Sequence, residues 1–406
     1  MHLRHLGLTN FRNYAKQELD LAPGAILLLG QNAQGKTNLL EAVFLLATGR
    51  SERADADADY IAWSNRDDMQ PHARIVGTAQ RAATEISVEV AVLGRSGAKG
   101  LVASKRFKLN GVPKRASDVI GAITAVLFTT DDMELVKGAP SGRRRYLDVM
   151  LSQIDHQYLR ALQRYTKVIT QRNALLKRIQ EGSAKPAELA YWDEELARDG
   201  GAILTTRAAA VAQLAEAAAA THARLSGERE QFGLTYAPRF ADAWPAARIV
   251  EEGLATKDTK GHEGWVGPGV SAVESALLDK LRATHQRDIA AGVTLTGPHR
   301  DDLSMTLGGE PAAAFASRGQ QRTAALALRL AEAQLLHARG GERPILLLDD
   351  VLSELDESRR ASVLAAIDAD QVWITSPDPD RFDAAFVASA QTWHITNGHA
   401  ERAAQP

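Results

Sequence analysis

The sequence predicts an α/β fold built around a phosphate-binding loop and interrupted by a mainly helical insertion. Three observations carry this. A short apolar strand at residues 25–29 runs into Gly30-Gln31-Asn32-Ala33-Gln34-Gly35-Lys36-Thr37 and then into an apolar helix. A second apolar strand at residues 345–348 ends in Asp349-Asp350. Between them, residues 144–222 change texture to a helical pattern rich in Ala, Leu, Arg and Gln.

Taken in order, residues 2–8 and 16–21 alternate as strands, and residues 25–29 form the buried strand before the loop. The helix that begins near Lys36 carries Leu39, Leu40, Val43, Phe44 and Leu46 on one side. Strand-like runs follow at 73–78, 84–93 and 104–109, and Asn110-Gly111 signals a hairpin before Val112. Residues 125–128 give another short strand. Gly182-Ser183-Ala184-Lys185-Pro186 divides the helical stretch in two. A strand is expected at 231–236, a long surface loop at 237–270, and a helix at 273–290. From Val293 the α/β texture returns: a strand, a helix at 322–339, the strand at 345–348, a helix from Glu357 and a strand at 371–375. The expected divisions are a first head segment at 1–145, an arm at 146–290 and a second head segment at 291–406.

The 406 residues suffice for a full core and suggest two or three domains. The absence of Cys excludes a disulfide framework, a thiolate zinc site and a Cys nucleophile, and fits a reducing, cytoplasmic location. The first twenty residues do not read as a signal peptide, and no run of about 18 apolar residues predicts a membrane span. A net charge of −2 means that any nucleic-acid binding must come from local patches.

The first motif fits G-x-x-x-x-G-K-[ST] between a strand and a helix. Its glycines let backbone N–H groups of Gly30, Gln31, Asn32, Ala33, Gln34 and Gly35 point at phosphate, and the helix N-terminus adds partial positive charge. Lys36 is expected at the β- and γ-phosphates of ATP, with the Thr37 hydroxyl on Mg²⁺. Asp349 is placed to hold Mg²⁺ through water, and Asp350 to orient or deprotonate the attacking water. Upstream, Ser317-Arg318-Gly319-Gln320-Gln321 opens a helix. The Ser317 hydroxyl, the Gly319 N–H and the helix terminus make a second anion site, with Gln320 beside it. Two such sites serve one γ-phosphate only if they come from different copies of the chain. Ser353-Glu354-Leu355-Asp356 is a turn of the kind that packs across such a seam.

This set, in order and spacing, resembles the ATP-binding-cassette ATPases, which sandwich two ATP molecules between two cassettes head to tail. Asp350 stands where that family usually carries Glu, and Ser376-Pro377 where it carries a switch His. Both departures point to slow turnover, a timed clamp more than a motor. About 310 residues separate the phosphate loop from the double Asp. That is far longer than a transporter cassette needs, and the arm has no Cys for a zinc hook.

Further segments resemble the RecF family of bacterial DNA-repair proteins. They are Leu8-Thr9-Asn10-Phe11-Arg12-Asn13-Tyr14, Gly49-Arg50-Ser51, the stretch from Asp131 to Gly138 with Arg143-Arg144-Arg145 and Leu147-Asp148, Thr296-Gly297-Pro298-His299-Arg300-Asp301-Asp302-Leu303, and Ser317-Arg318-Gly319-Gln320-Gln321-Arg322-Thr323. The resemblance implies an ATP-dependent DNA-binding dimer with weak, DNA-dependent ATP hydrolysis that resets it. It implies work with the RecO and RecR mediators, favouring RecA assembly on gapped DNA at stalled forks, and a link to the damage response. Arg12 either touches phosphate or ribose or is a solvated arginine before a turn. His299 and Arg300 either lie near the nucleotide or dimer seam, or cap and pin their loop.

For DNA, residues 157–180 hold six basic side chains and no acid. Arg160, Arg164, Lys167, Gln171 and Arg178 fall near one helical face, opposite Leu159, Leu162, Ile169 and Leu176. Such a stripe suits the phosphate backbone and predicts strong salt dependence. Arg143, Arg144 and Arg145 form a second candidate patch. No base-reading motif is present, so shape recognition is expected. His299-Arg300-Asp301 fails as a kinase loop, because Thr306 stands where Asn is needed. Asp55, Asp57 and Asp59 fail as a calcium loop, with Tyr60 at the glycine position and Arg66 at the final Glu position. Two rivals to the repair reading are an energy-coupling transporter subunit and the ATPase of a defence effector.

Overall fold

The computed structural model describes residues 1–51, 53–82, 84–97, 100–239, 256–257, 263–264, 268–354 and 357–403. It comprises two compact units, Met1–Asp132 with Leu326–Pro406, and Met133–Ala325. The divisions therefore fall at other residues than 145/146 and 290/291. Strand β12 (Asp302–Leu307) pairs along its whole length with β9 (Phe232–Ala237), so the segment after residue 291 belongs with the arm until the middle of the helix Arg318–Gly340.

The first unit has two six-stranded sheets. One is antiparallel, in the order β2-β1-β4-β5-β6-β7. Its strands are β1 (His2–Phe11), β2 (Tyr14–Asp20), β4 (His72–Arg81), β5 (Thr84–Gly97), β6 (Gly100–Leu109) and β7 (Val112–Lys114). Asn110 and Gly111 turn β6 into β7 with φ of 50° and 77°, the left-handed pair that a two-residue hairpin requires. The other sheet has the order β17-β16-β3-β15-β14-β8. Here β3 (Gly24–Leu29), β8 (Ala125–Thr129), β14 (Ile345–Asp349), β15 (Gln371–Ser376) and β16 (Gln391–Thr396) run parallel. Only β17 (His399–Arg402) is antiparallel. The short helices Glu357–Ala366 and Ala384–Ser389 connect the last strands.

Helix α1 (Lys36–Thr48) was expected to bury one side. It buries nearly all of itself, Ala42, Leu45 and Ala47 included, because it touches β4 and β5 of one sheet and β8 and β14 of the other. An apolar surface all round is what a helix enclosed in this way needs.

The second unit starts with the short α2 (Met133–Lys137) and α3 (Pro140–Ile154). Its frame is the helical pair α4 (His156–Gln180) and α5 (Leu189–Ser226), parted at the expected Gly182–Pro186 break. The helix Pro268–Ala283 packs on α5, where Gly200-Gly201 interrupts the pattern. A Cβ on Gly200 would lie 2.6 Å from Leu277 Cδ2, so the close approach explains a residue that otherwise costs a helix about 1 kcal/mol. The expected single helix at 273–290 is two, Pro268–Ala283 and His285–Ala291, hinged at Thr284. No strand forms directly after Val293. The chain there is pinned by side chains until the turn Pro298–Arg300 and β12. Strand β13 (Glu310–Pro311) completes a three-stranded sheet with β12 and β9, and β10 (Thr256–Lys257) pairs with β11 (Glu263–Gly264). Most of the expected 237–270 loop, and Leu355 and Asp356 of the seam turn, lie outside the described residues. No described helix is long and apolar enough to cross a membrane.

Candidate nucleotide site

Strands β3, β15 and β14 are parallel neighbours, so their C-terminal ends open on one edge of the sheet. Open parallel sheets bind ligands at that edge. The phosphate loop leaves β3, the double Asp leaves β14, and Thr375-Ser376 ends β15 between them.

The loop is shaped by close contacts as much as by glycine freedom. A Cβ on Gly30 would strike the Ile395 carbonyl, and one on Gly35 would lie 2.7 Å from Asn13 Nδ2. Gly35 has φ 118° and directly precedes α1. The Tyr14 hydroxyl donates to the Gly35 carbonyl at 3.0 Å. Gln34 is held three ways: its carbonyl accepts from Asn13 Nδ2 (2.9 Å) and the Gly398 N–H (3.0 Å), and its Oε1 accepts from the Asn397 N–H (2.7 Å). The tip of the β16–β17 hairpin thus braces the loop. Lys36 is buried, with its ammonium on the Gly30 and Gln31 carbonyls, and burial lowers its pKa against the opposing pull of Asp350 and Asp349.

Opposite, Asp349 Oδ1 accepts from the Thr37 hydroxyl at 2.9 Å and from the Thr375 hydroxyl at 3.0 Å. Burial raises its pKa, and these two donors oppose the rise. Thr375 also accepts the Asp350 N–H at 2.8 Å, at a residue held with φ 56°. A non-glycine residue in that region is strained unless its surroundings fix it, and such strain gathers at functional sites. Thr375 therefore holds the Asp349 carboxylate and the Asp350 backbone. Nothing in the local sequence marks it except its place at the end of the intervening strand.

Arg12 faces a cleft of ≈ 560 Å³ beside the first turn of α1, lined also by Asn38, Arg53, Asp59, Trp63 and Arg66. Its guanidinium is engaged by buried Glu41, at 2.9 Å and 2.5 Å, and by the Asp59 carbonyl. It is thus no solvated arginine, and the hydrogen bonds it would offer a phosphate are largely committed. Glu41 also accepts from the Ser51 hydroxyl at 2.5 Å. A buried carboxylate needs such partners, and they account for Gly49-Arg50-Ser51: Gly49 ends α1 at φ 69° and turns Ser51 back onto Glu41. Asp57 and Asp59 belong to a short helical turn, Asp57–Tyr60, and Asp59 caps the turn through the Asp55 and Ala56 N–H groups.

In the second unit, Ser317 is exposed just before the helix Arg318–Gly340. Its N–H donates to Gln320 Oε1 at 2.7 Å, and its hydroxyl accepts the Gln320 N–H at 3.3 Å. Gly319, in the first turn, is half-buried.

The candidate DNA residues sort differently from the sequence reading. Arg143 must be withdrawn. It is buried, holds both Asp302 oxygens at 2.6 Å and 2.9 Å, and donates to the Leu135 and Gly138 carbonyls. Arg144 is half-buried on the Asp301 carbonyl, and Arg145 is exposed. On α4, Arg164 is exposed but bound by Asp199 of α5 at 2.6 Å, so that position is not without a compensating acid. Arg160, Lys167 and Arg178 are exposed, and Lys167 and Arg178 have no ion-pair partner among the described residues.

His299 and Arg300 resolve as structural pins. His299 Nε2 and the Arg300 guanidinium both meet the Thr294 carbonyl, at 3.0 Å and 3.2 Å. A carbonyl only accepts, so the proton is on Nε2, and Nδ1 takes the Tyr165 hydroxyl at 2.7 Å. Burial lowers the His299 pKa to about 4.

Comparison with known proteins gives a consistent result. The family model described as RecF/RecN/SMC N terminal domain matches residues 2–394. The chain is 40% identical over 413 residues to the DNA replication and repair protein RecF of Roseiflexus castenholzii, covering 98% of this chain and 99% of that one. It is 42% identical over 409 residues to the RecF of Herpetosiphon aurantiacus, with the same coverage. Among solved structures, RecF with ATPrS in the RecFOR pathway superposes with a TM-score of 0.80 at 30% identity, covering 99% of this chain and 98% of that chain. RecF with ATP, in the same pathway, gives the same TM-score and identity. The fold is that of a P-loop ATPase head of this type with a helical insertion.

Proposed function

Because the chain belongs to the RecF family of DNA replication and repair proteins, we propose that it is an ATP-gated DNA-binding protein of recombinational repair and replication-fork maintenance. The carrying observation is the meeting of three strand ends at one edge, where the Thr37 hydroxyl bonds Asp349 and the Lys36 ammonium feels the charges of Asp350 and Asp349. RecF structures of similar fold bind ATP or ATPrS.

In this reading the N–H groups of Gly30 to Gly35 and the α1 terminus bind the phosphates. Lys36 leaves its two carbonyls to take the β- and γ-phosphates, which match a charge better than a neutral acceptor does. Thr37 and Asp349 present adjacent hard oxygens, the donor type Mg²⁺ prefers, and fit that ion. Mg²⁺, when bound, neutralises charge on the transferring phosphoryl group. Asp350 takes the proton of the attacking water at its carboxylate. The cleft beside Arg12 is sized for the nucleoside end, since ligand sites run from about 300 to 1,000 Å³.

Ser317, Gly319 and Gln320 serve the γ-phosphate of a second copy, so ATP assembles a homodimer and slow hydrolysis releases it. Arg145, Arg160, Lys167 and Arg178 contact the DNA backbone at gaps or single-strand–duplex junctions, without base reading. From Arg160 to Arg178 the α4 stripe spans about 27 Å, at roughly 1.5 Å per residue. The dimer acts with RecR and RecO and assists RecA loading.

The test is binding to a gapped duplex with ATP, with ADP and with neither, for wild type and Lys36→Ala. Tight binding only with ATP, lost in Lys36→Ala and weakened steeply by salt, is expected. Binding indifferent to nucleotide would refute ATP gating and favour an ATPase that drives another effector.

A further inference from the structure

We infer that Glu230 is a positioning residue for the Ser317 turn: its carboxylate dictates which way the Gln320 amide faces, and so readies Ser317 for a partner copy's γ-phosphate. This rests on the ATP-dependent dimer proposed above.

A glutamine amide can sit in its site in either of two orientations. Gln320 uses both ends of its side chain. Oε1 accepts the Ser317 N–H at 2.7 Å, and Nε2 donates to Glu230 Oε1 at 2.8 Å. The two ends of a glutamine amide are nearly the same size, so rotation by 180° costs little in packing. A rotated amide would turn its NH₂ against the Ser317 N–H, donor against donor, and break the reciprocal Ser317–Gln320 pair that caps the helix. An ionised carboxylate only accepts. With Glu230 in place, Nε2 must face it, and Oε1 is left for Ser317.

Glu230 is held for this task by the end of α5. Gly227 closes the helix at φ 67° and Glu228 follows at φ 59°, which turns the chain back on itself. Behind it lies buried His222, stacked on Phe232 at 5.5 Å between centroids, with Nε2 3.7 Å from Glu230 Oε2. One carboxylate oxygen thus faces the helix end and the other faces Gln320. The negative charge itself works against a phosphate at the adjacent helix terminus. The useful property is that a carboxylate only accepts; an amide at this position would bring a donor of its own and could pair with Gln320 in either orientation.

The experiment compares wild type, Ser317→Arg, Glu230→Ala and Glu230→Gln as full chains. It reads ATP affinity of the monomer, ATP-dependent dimerisation by sedimentation, and ATP turnover split into kcat and KM. Glu230→Ala should keep monomer ATP affinity and KM within about twofold, weaken dimerisation by about tenfold or more, and lower kcat in parallel. Glu230→Gln, which can pair with either orientation of the Gln320 amide, should keep monomer ATP affinity within about twofold and weaken dimerisation, though less than Glu230→Ala does. If Glu230→Ala unfolds, Glu230→Lys, which offers Gln320 a donor, should show the same loss of dimerisation. Absence of ATP-dependent dimers in wild type would sink the dimer reading itself. Dimers in wild type, none in Ser317→Arg and normal ones in Glu230→Ala would overturn the role of Glu230 alone. Wild-type dimerisation in Glu230→Gln would overturn it too, because an amide that also donates would then place Gln320 as well as a carboxylate does.

Discussion

Replacing Thr375 by Val tests whether one hydroxyl holds both the Asp349 carboxylate and the Asp350 backbone in place. Val keeps the shape, so no cavity forms and β15 is undisturbed. Two bonds are lost: the donor at 3.0 Å to Asp349 and the acceptor at 2.8 Å for the Asp350 N–H. A hydrogen bond to a charged group contributes about 1.5–3 kcal/mol, and an orphaned buried N–H costs about 1–3 kcal/mol. Part of this falls on folding. The rest falls on hydrolysis, because Asp350 no longer has the bond that holds its backbone at φ 56° and relaxes away from the attack position. If about 2–3 kcal/mol is lost from the transition state, kcat falls by roughly 30- to 150-fold. ATP affinity should change by less than about threefold, since the phosphate loop and Lys36 are untouched. Single-turnover hydrolysis on saturating ATP measures the first quantity, and equilibrium binding the second. Thr375→Ser keeps the hydroxyl and should stay within about threefold of wild type. Wild-type turnover in Thr375→Val, or an equal loss in the Val and Ser variants, would refute the reasoning.

Other perturbations separate the remaining roles. Asp350→Asn should bind ATP normally, hydrolyse it far more slowly and accumulate the ATP-bound dimer in sedimentation; an unchanged rate would remove Asp350 from proton transfer. Arg172→Met removes the guanidinium shared by Asp193 and Asp288, both wholly buried, leaving Asp193 with His285 and Asp288 with the Leu295 N–H, and should lower unfolding free energy in urea by about 3–5 kcal/mol; a loss under about 1 kcal/mol would mean the site relaxes and hydrates. His299 has a folded pKa of about 4, below its ordinary 6.5, so its contribution is full above 6.5 and is lost as pH falls towards 4. That amounts to about 3 kcal/mol. Buried Asp301, whose pKa is raised, acts in the opposite sense, so the quantity to measure is wild type minus His299→Gln across pH 6.5 to 4; a pH-independent difference would contradict a neutral His299. Lys167→Ala and Arg178→Ala should each reduce the slope of log affinity for DNA against log salt by about 1, whereas Arg143→Ala should lower stability by breaking the Asp302 pair; an unchanged slope for both stripe variants would move the DNA to another face.

What the sequence discloses depends on how far apart the interacting residues are. The phosphate loop and the double Asp were legible because each is a short segment whose chemistry follows from local spacing. Most strands and both long helices were legible because burial imposes a period of two or 3.6 on the residues themselves. The second division was misplaced for the opposite reason. Residues 302–307 have the texture of the head, but among the described residues the strand that pairs along their full length is β9, about seventy positions back. Texture reports how a strand is half-buried, not which sheet it joins. Helix α1 shows the same limit, since the number of faces it buries is fixed by two sheets that its own period cannot name.

The site residues that sequence reasoning missed share a physical character: they act on other side chains and not on the ligand. Thr375 orients Asp349 and Asp350, Glu41 holds Arg12 and Ser51, and Asn397 and Gly398 brace Gln34 from the far end of the chain. A ligand-facing residue must be of a particular type, such as a lysine for phosphate, and type is visible in sequence. A supporting residue needs only a donor or acceptor at the right place, which many residue types supply. The arginines make the converse error instructive. Counting charge along residues 157–180 found no acid, yet Asp199 reaches Arg164 from the neighbouring helix, and Asp302 neutralises Arg143 across 159 positions. A charge run therefore marks a DNA surface only after the acids of adjoining elements have been subtracted. In this chain the subtraction leaves Lys167 and Arg178 as the cleanest candidates on α4, which is why they carry the salt-dependence test.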